Sequence, residues 1–256
     1  MIYNPRLIVR LDIKGNNLIK GLRFEGLRVI GSAKEFAKKY YDQGIDEIIY
    51  VDSVASLYGR NSLTEIIDFS TENIFVPVTV GGGIKSLDDV QKVLRAGADK
   101  IAINTAAIEN KNLIKTISEK IGSQSLTISI QAKKRGKNNW EAFKICGREP
   151  TGIDVIDWVK ELNKLGAGEI LLTSIDQDGT ELGLDRNLIK LVTENTNLPV
   201  IASGGSKDAN DILCTFQETD VSGIAIGSIL HHEKIDIKIL KKELEKINKK
   251  KLWMFQ

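Results

Sequence analysis

The residues with the most chemical content stand at the ends of short apolar runs. Leu7-Ile8-Val9-Arg10-Leu11-Asp12 ends in a carboxylate, and Leu126 to Ile130 leads to Gln131. Val76-Pro77-Val78-Thr79-Val80 runs into Gly81-Gly82-Gly83, and Leu198-Pro199-Val200-Ile201-Ala202-Ser203 runs into Gly204-Gly205. Glycine lets a chain turn tightly and bring its amides close to a ligand, and amides left free at a following helix start favour an anion. Two such turns at matching offsets predict two phosphate cradles. Asn104, after Ile101-Ala102-Ile103, joins Gly83 at the first; Ser228, after Gly223-Ile224-Ala225-Ile226-Gly227, joins Gly205 at the second. Between them lie Asp12 and Gln131. Two carboxylates there would supply a general acid and a general base. Gln131 is an amide, which hydrogen-bonds but does not titrate usefully.

The elements that must position these residues alternate. Eight short apolar strands are expected to begin near Leu7, Ile48, Val76, Ile101, Leu126, Ile170, Pro199 and Gly223. Helices should follow, opened by Ser32, Ser62, Ser86, Asn110, Asp185, Asp208 and Ser228, and several are closed by glycines such as Gly44, Gly97 and Gly166. A polar loop is expected between Gly15 and Gly21, a β-rich excursion from Ala132 to Thr151, and a helix from Gly152 to Leu165. The segment Gly44 to Ile49 matches Gly166 to Leu171, so the chain reads as two similar halves. This pattern predicts a single α/β domain over residues 1–256, a (β/α)8 TIM barrel with a two-fold half-barrel repeat; a doubly wound sheet is the alternative. In such barrels the C-terminal strand ends, where Asp52, Ser174 and Asp178 also fall, form the active face.

Bulk composition removes other classes. A net charge of +2 gives no electrostatic case for nucleic acid. No apolar run is long enough to span a bilayer and no secretory signal opens the chain, so a cytoplasmic location is expected. Cys146 and Cys214 read as free thiols, and no Cys/His cluster has metal-ligand spacing, so no metal and no cofactor are expected.

Several segments closely resemble the cyclase subunit of imidazole glycerol phosphate synthase: Leu11-Asp12-Ile13-Lys14, Lys20-Gly21, Phe24-Glu25-Gly26-Leu27-Arg28, Thr79 to Ile84, Arg95 to Lys100, Ile103 to Ala107, Gly166 to Gly179 and Ile201 to Gly205. The related sugar isomerase of the same pathway shares the half-barrel repeat and the phosphate turns, but the Phe24 to Arg28 loop and the run around Glu169 fit the cyclase better. The resemblance implies a lyase of histidine biosynthesis that pairs with a glutaminase subunit as a heterodimer. Ammonia would cross the barrel to a bisphosphorylated ribulosyl aminoimidazole carboxamide substrate. It implies Asp12 as one catalytic acid, Lys20 as a substrate contact, Gly83, Asn104 and Thr105 at one phosphate, and Asp178, Gly179, Gly205 and Ser228 at the other. Three departures stand out. Gln131 occupies the place of the family's second catalytic aspartate, Val9-Arg10 replaces a Pro-Cys or Ala-Cys pair, and the loop from Ala55 to Arg60 resembles divergent paralogues. Such paralogues supply ammonia for amidation or amidination of bacterial surface sugars, which is the alternative function. Asp52 and Asp176 are candidates to replace the missing acid.

Arg6, Glu47, Lys100 and Glu169 each directly precede an apolar strand and so belong to the opposite, N-terminal rim. Two cations and two anions there could form a ring of ion pairs. In the resembled family the matching residues gate ammonia passage, which implies a glutaminase docked on that face.

Overall fold

The computed structural model describes residues 5–53 and 63–253. Eight parallel strands close into a barrel in the order β1 (Arg6–Lys14), β4 (Glu47–Asp52), β5 (Val78–Gly81), β6 (Lys100–Ile103), β7 (Leu126–Gly136), β10 (Glu169–Ser174), β11 (Val200–Ser203) and β12 (Gly223–Ile226). Pairing of β7 with β10 and of β12 with β1 completes the circle. The expected barrel is therefore present. The start expected at Ser62 and the loop from Ala55 to Arg60 lie outside the described residues.

Period-two alternation on each strand separates two cores. On β1, Leu7, Val9, Leu11 and Ile13 point outward into the large apolar layer beneath the helices, while Ile8 joins Ile49, Leu171, Ile201 and Ala225 inside the barrel. The helices that cover the barrel include α1 (Ala33–Asp42), α2 (Thr64–Asn73), α3 (Leu87–Arg95), α4 (Thr105–Glu109), α5 (Lys111–Ile121), α6 (Val155–Leu165), α7 (Arg186–Thr193), α8 (Ala209–Glu218), α9 (Ser228–His231) and α10 (Ile237–Trp253). Their starts follow capping chemistry. The Ser32 hydroxyl accepts from the Glu35 amide, Ser86 and Asp89 form a reciprocal capping box, and Asp185 and Asp208 accept from Leu188 and Asp211.

Three local expectations need correction. The segment after β1 is a hairpin, β2 (Asn17–Leu22) paired with β3 (Glu25–Ser32), rather than a polar loop. Gly152 belongs to β9 (Glu149–Asp154), which pairs with β8 (Asn139–Lys144); the helix starts only after Asp154, whose side chain accepts from the Ile156 and Asp157 amides. Asn110 lies between α4 and α5 and its side chain makes no cap bond. Both hairpins lean over the C-terminal mouth, where Phe24, Phe143 and Ile175 form a small apolar roof.

A buried polar pair ties α1 to α9. The Tyr40 hydroxyl lies 2.8 Å from His231 Nδ1. Burial, reinforced by the nearby Lys20 charge, pushes the His231 imidazole down to about 4. An unfolded chain takes up that proton near its ordinary 6.5. Between these values the unfolded state binds more protons, so stability is present above about pH 6.5 and is lost as the pH falls toward about 4. The expected loss from this group is on the order of 2–3 kcal/mol, measured by urea unfolding at fixed pH steps. His231→Asn should flatten that part of the profile; an unchanged slope would assign it to other groups.

Candidate active site

The mouth of the barrel holds two separate recesses. The larger, about 290 Å³, lies at the ends of β4 to β7 and is lined by Asp52, Gly83, Asn104, Thr105, Gln131 and Cys146 among others. The narrower one lies at the ends of β1 and β10 to β12, with Arg10, Lys20, Asp178, Gly179, Gly205 and Ser228 in its wall. All the residues expected at the first cradle thus share one recess, and all those expected at the second share the other.

Backbone geometry explains the glycines at both. Gly82 has φ +103°, and a Cβ there would stand 2.4 Å from the Asp52 carbonyl oxygen. Gly205 has φ +99°, and a Cβ would stand 2.4 Å from the Gly183 carbonyl oxygen. A left-handed conformation and a close backbone neighbour each exclude a side chain.

In the larger recess three side chains anchor β8 and the segment between β8 and β9. Asn104 Nδ2 donates to the Ser129 and Phe143 carbonyls at 2.9 and 3.1 Å. Thr105 Oγ1 accepts from the Ile145 amide at 3.1 Å, and Gln131 Oε1 accepts from the Gly147 amide at 2.6 Å. These bonds hold Ile145, Cys146 and Gly147 in three successive left-handed conformations, at φ 50°, 53° and 73°. For a residue with a Cβ that region costs about 1–2 kcal/mol, so the clamp offsets real strain. Gly147 offers an N–H, so Gln131 must present its oxygen there, and its Nε2 donor remains for the recess. The Cys146 thiol donates to the Ser53 carbonyl at 3.0 Å, and burial pushes its pKa up.

Asp12 is drawn toward the second recess. Arg10 Nε donates to its Oδ1 at 2.9 Å and Lys20 Nζ to its Oδ2 at 3.0 Å. Lys20 also reaches Asp178 at 3.2 Å. Arg10 Nη1 donates to Thr173 Oγ1 at 3.0 Å and to Ser203 Oγ at 3.4 Å. Burial alone would raise the Asp12 carboxyl; the Arg10 and Lys20 charges and hydrogen bonds overcome it and hold the group at about 2. Burial likewise works against the charges of Arg10 and Lys20, and their carboxylate partners keep both raised. Asp176, considered as a replacement acid, is engaged elsewhere: its Oδ2 accepts from the Lys134 amide at 2.7 Å. Asp52 is a buried carboxylate in the wall of the larger recess. Among the described residues no three His, Cys, Asp or Glu side chains are placed to hold a metal ion.

The opposite end of the barrel carries a closed ring. Arg6 pairs with Glu47 at 2.8 Å and with Glu169 at 2.5 Å, and Lys100 pairs with each of the same carboxylates at 3.1 Å. Thr79 Oγ1 donates to Glu47 at 2.9 Å. The four residues expected on this rim therefore alternate in sign around the barrel floor.

A closed (β/α)8 barrel with a glycine-turn recess on each side of its mouth places its candidate site at the C-terminal strand ends, where enzymes of this fold class carry theirs. The chain matches the family model of the histidine biosynthesis protein over residues 6–236. It is 58% identical over 202 residues to a relative from Legionella pneumophila, covering 79% of this chain and 95% of that one. It is 44% identical over 249 residues to one from Dictyoglomus thermophilum, covering 97% of each, and 44% identical over 241 residues to one from Pyrococcus furiosus, covering 94% of this chain and 95% of the other. All three relatives bear the name imidazole glycerol phosphate synthase subunit HisF. The chain belongs to the histidine biosynthesis protein family. The sugar-amidating alternative has no support among these relatives.

Sequence reasoning noted Arg10 only as a departure and gave it no place in the site; its pairing across the barrel with Thr173 and Ser203 depends on strand register. Asp12 should stay ionised well into the acid range. Its depressed pKa contributes stability that is fully present above about pH 3.8 and is lost as the pH falls toward about 2. A carboxyl carbon-13 titration should show no Asp12 transition between pH 7 and about 4. Lys20→Met should move its midpoint upward. A midpoint above 4 in the unmodified protein would show that the two cations do not control it.

Proposed function

We propose that this chain is the cyclase subunit of a glutamine-dependent imidazole glycerol phosphate synthase, a lyase of histidine biosynthesis working in the cytoplasm as one domain over residues 1–256. The observation that carries this reading is the pair of glycine-turn recesses facing each other across one roofed mouth. That spacing suits a substrate with a phosphate at each end, such as the ribulosyl aminoimidazole carboxamide ribonucleotide of this reaction. Gly83, Asn104 and Thr105 would hold one phosphate. Lys20, Asp178, Gly179, Gly205 and Ser228 would hold the other.

Ammonia would come from a glutaminase docked against the ring of Arg6, Glu47, Lys100 and Glu169, forming a heterodimer, and would react at the mouth. Asp12, fixed as an anion, stabilises positive charge that develops beside it. Gln131 orients substrate through its free Nε2 and leaves proton transfer to another group. Asp52 is the buried carboxylate placed to take that task.

Purified protein with the ribonucleotide substrate and an ammonium salt should release imidazole glycerol phosphate; absence of product with phosphate still bound would refute the cyclase assignment. A positioned acid or base contributes about 10²–10⁴-fold, so Gln131→Asp should raise ammonium-dependent kcat by about tenfold or more. No gain would mean that the amide costs the reaction nothing.

The ring is tested separately. Lys100→Ala should change the ratio of glutamine-dependent to ammonium-dependent turnover in the two-subunit complex. An equal change in both would reduce the ring to a structural role.

A further inference from the structure

The two recesses are not electrostatically equivalent, although the half-barrel repeat built both from a glycine turn. The recess beside β11 and β12 has a buried guanidinium in its inner wall. Arg10 is only 4% exposed and reaches this wall from β1, directly above the apolar layer of Ile8, Leu171, Ile201 and Ala225. A guanidinium has five N–H donors in a fixed fork. Among the described residues the hydrogen bonds of Arg10 use Nε, toward Asp12, and Nη1, toward Thr173 and Ser203. Those three bonds hold the plane of the group and leave Nη2 for the recess.

A second, independent observation lies in the same wall. Ser206 directly follows the glycine turn, is 7% exposed, and lines the recess. Its buried hydroxyl has no hydrogen-bond partner among the described residues. Leaving a buried hydroxyl unpaired is costly, typically about 1–3 kcal/mol, and a ligand oxygen in the recess would supply its partner. Negative groups are also present. Asp178 is neutralised by Lys20, and Glu181 is held by His232 and Lys234. Asp12 is paired with both Arg10 and Lys20, so what remains facing an incoming group is a set of donors: Arg10 Nη2, the Ser206 hydroxyl and the amides of the turn.

We propose that Arg10 and Ser206 are direct ligands of the phosphate group held at Gly205, and that Arg10 makes this recess the tighter of the two anion sites. This deepens the two-phosphate reading above and rests on it. Arg10 does so at a chemical cost to its neighbour, because the same guanidinium fixes Asp12 as an anion. The phosphate at Gly205 would then anchor the substrate more firmly than the end at Gly83 and Thr105.

Titration of the full chain with inorganic phosphate, followed through the amide signals of Gly205 and Ser206 and of Gly83 and Thr105, tests the assignment. In the unmodified protein the Gly205 and Ser206 signals should saturate at the lower concentration. Arg10→Gln should weaken phosphate there about tenfold or more and leave the Gly83 site within about twofold, as expected for a charge-assisted bond. Ser206→Ala should weaken the same site about threefold. Arg10→Lys keeps the charge but not the fork, so an intermediate loss is expected, and it serves if the glutamine variant does not fold. Unchanged affinity at Gly205 in both Arg10 variants, or equal loss at both sites, overturns the assignment. No phosphate at Gly205 in the unmodified protein would instead overturn the two-phosphate reading itself.

Discussion

Two arginines on one strand set the terms for the rest of the barrel. Arg6, Ile8, Arg10 and Asp12 occupy successive inward positions of β1. A buried cation survives only beside a counter-charge, and removing one partner of a buried pair typically costs about 3–5 kcal/mol. The strand therefore dictates what its neighbours must bring. At the floor, Glu47 and Glu169 answer Arg6, and Lys100 balances the two carboxylates. At the mouth, Asp12 answers Arg10, and Lys20 links Asp12 to Asp178. Each end holds one arginine, one lysine and two carboxylates. At the floor they close into a ring; at the mouth they form an open chain whose free donors face the second recess.

The roof over the mouth follows from the same accounting. Charges as buried as Arg10 and Asp12 need more than strand ends around them. The β2–β3 hairpin brings Lys20 in and lays Phe24 over the Arg10 guanidinium, with 5.4 Å from Cζ to the ring centroid. The β8–β9 hairpin brings Phe143 and the left-handed segment from Ile145 to Gly147, which Thr105 and Gln131 hold down. Local strain is thus stored in the wall of the larger recess, and side chains of that recess hold it in place.

Much of this was legible in the sequence because it is local. Strand and helix alternation, the caps at Ser32, Ser86, Asp185 and Asp208, and the glycine turns depend on residues a few positions apart. The rim ring could also be anticipated, since a charge directly before an apolar strand must sit at the barrel floor. The β2–β3 hairpin was missed because Gly21, Gly26 and Gly31 interrupt its alternation and a bulge shifts its register. Gly152 was placed in a helix because the apolar period of α6 runs back past the capping Asp154. Arg10 and Ser206 were invisible as ligands for a deeper reason. Their roles arise only when β1 and β11 are brought together through β12, across more than 190 residues of chain.

The charge arrangement also bears on what the proposed passage would admit. Between ring and mouth lies one apolar layer, Ile8, Ile49, Leu171, Ile201 and Ala225. Moving a bare cation into such a layer costs several kcal/mol even after relaxation. A small neutral molecule escapes that cost. Arg10 stands immediately above the layer with its charge balanced by Asp12, so the barrier an ammonium ion would meet is the desolvation cost of the layer itself. The same side chain fills space in the barrel interior, between the apolar layer and the second recess.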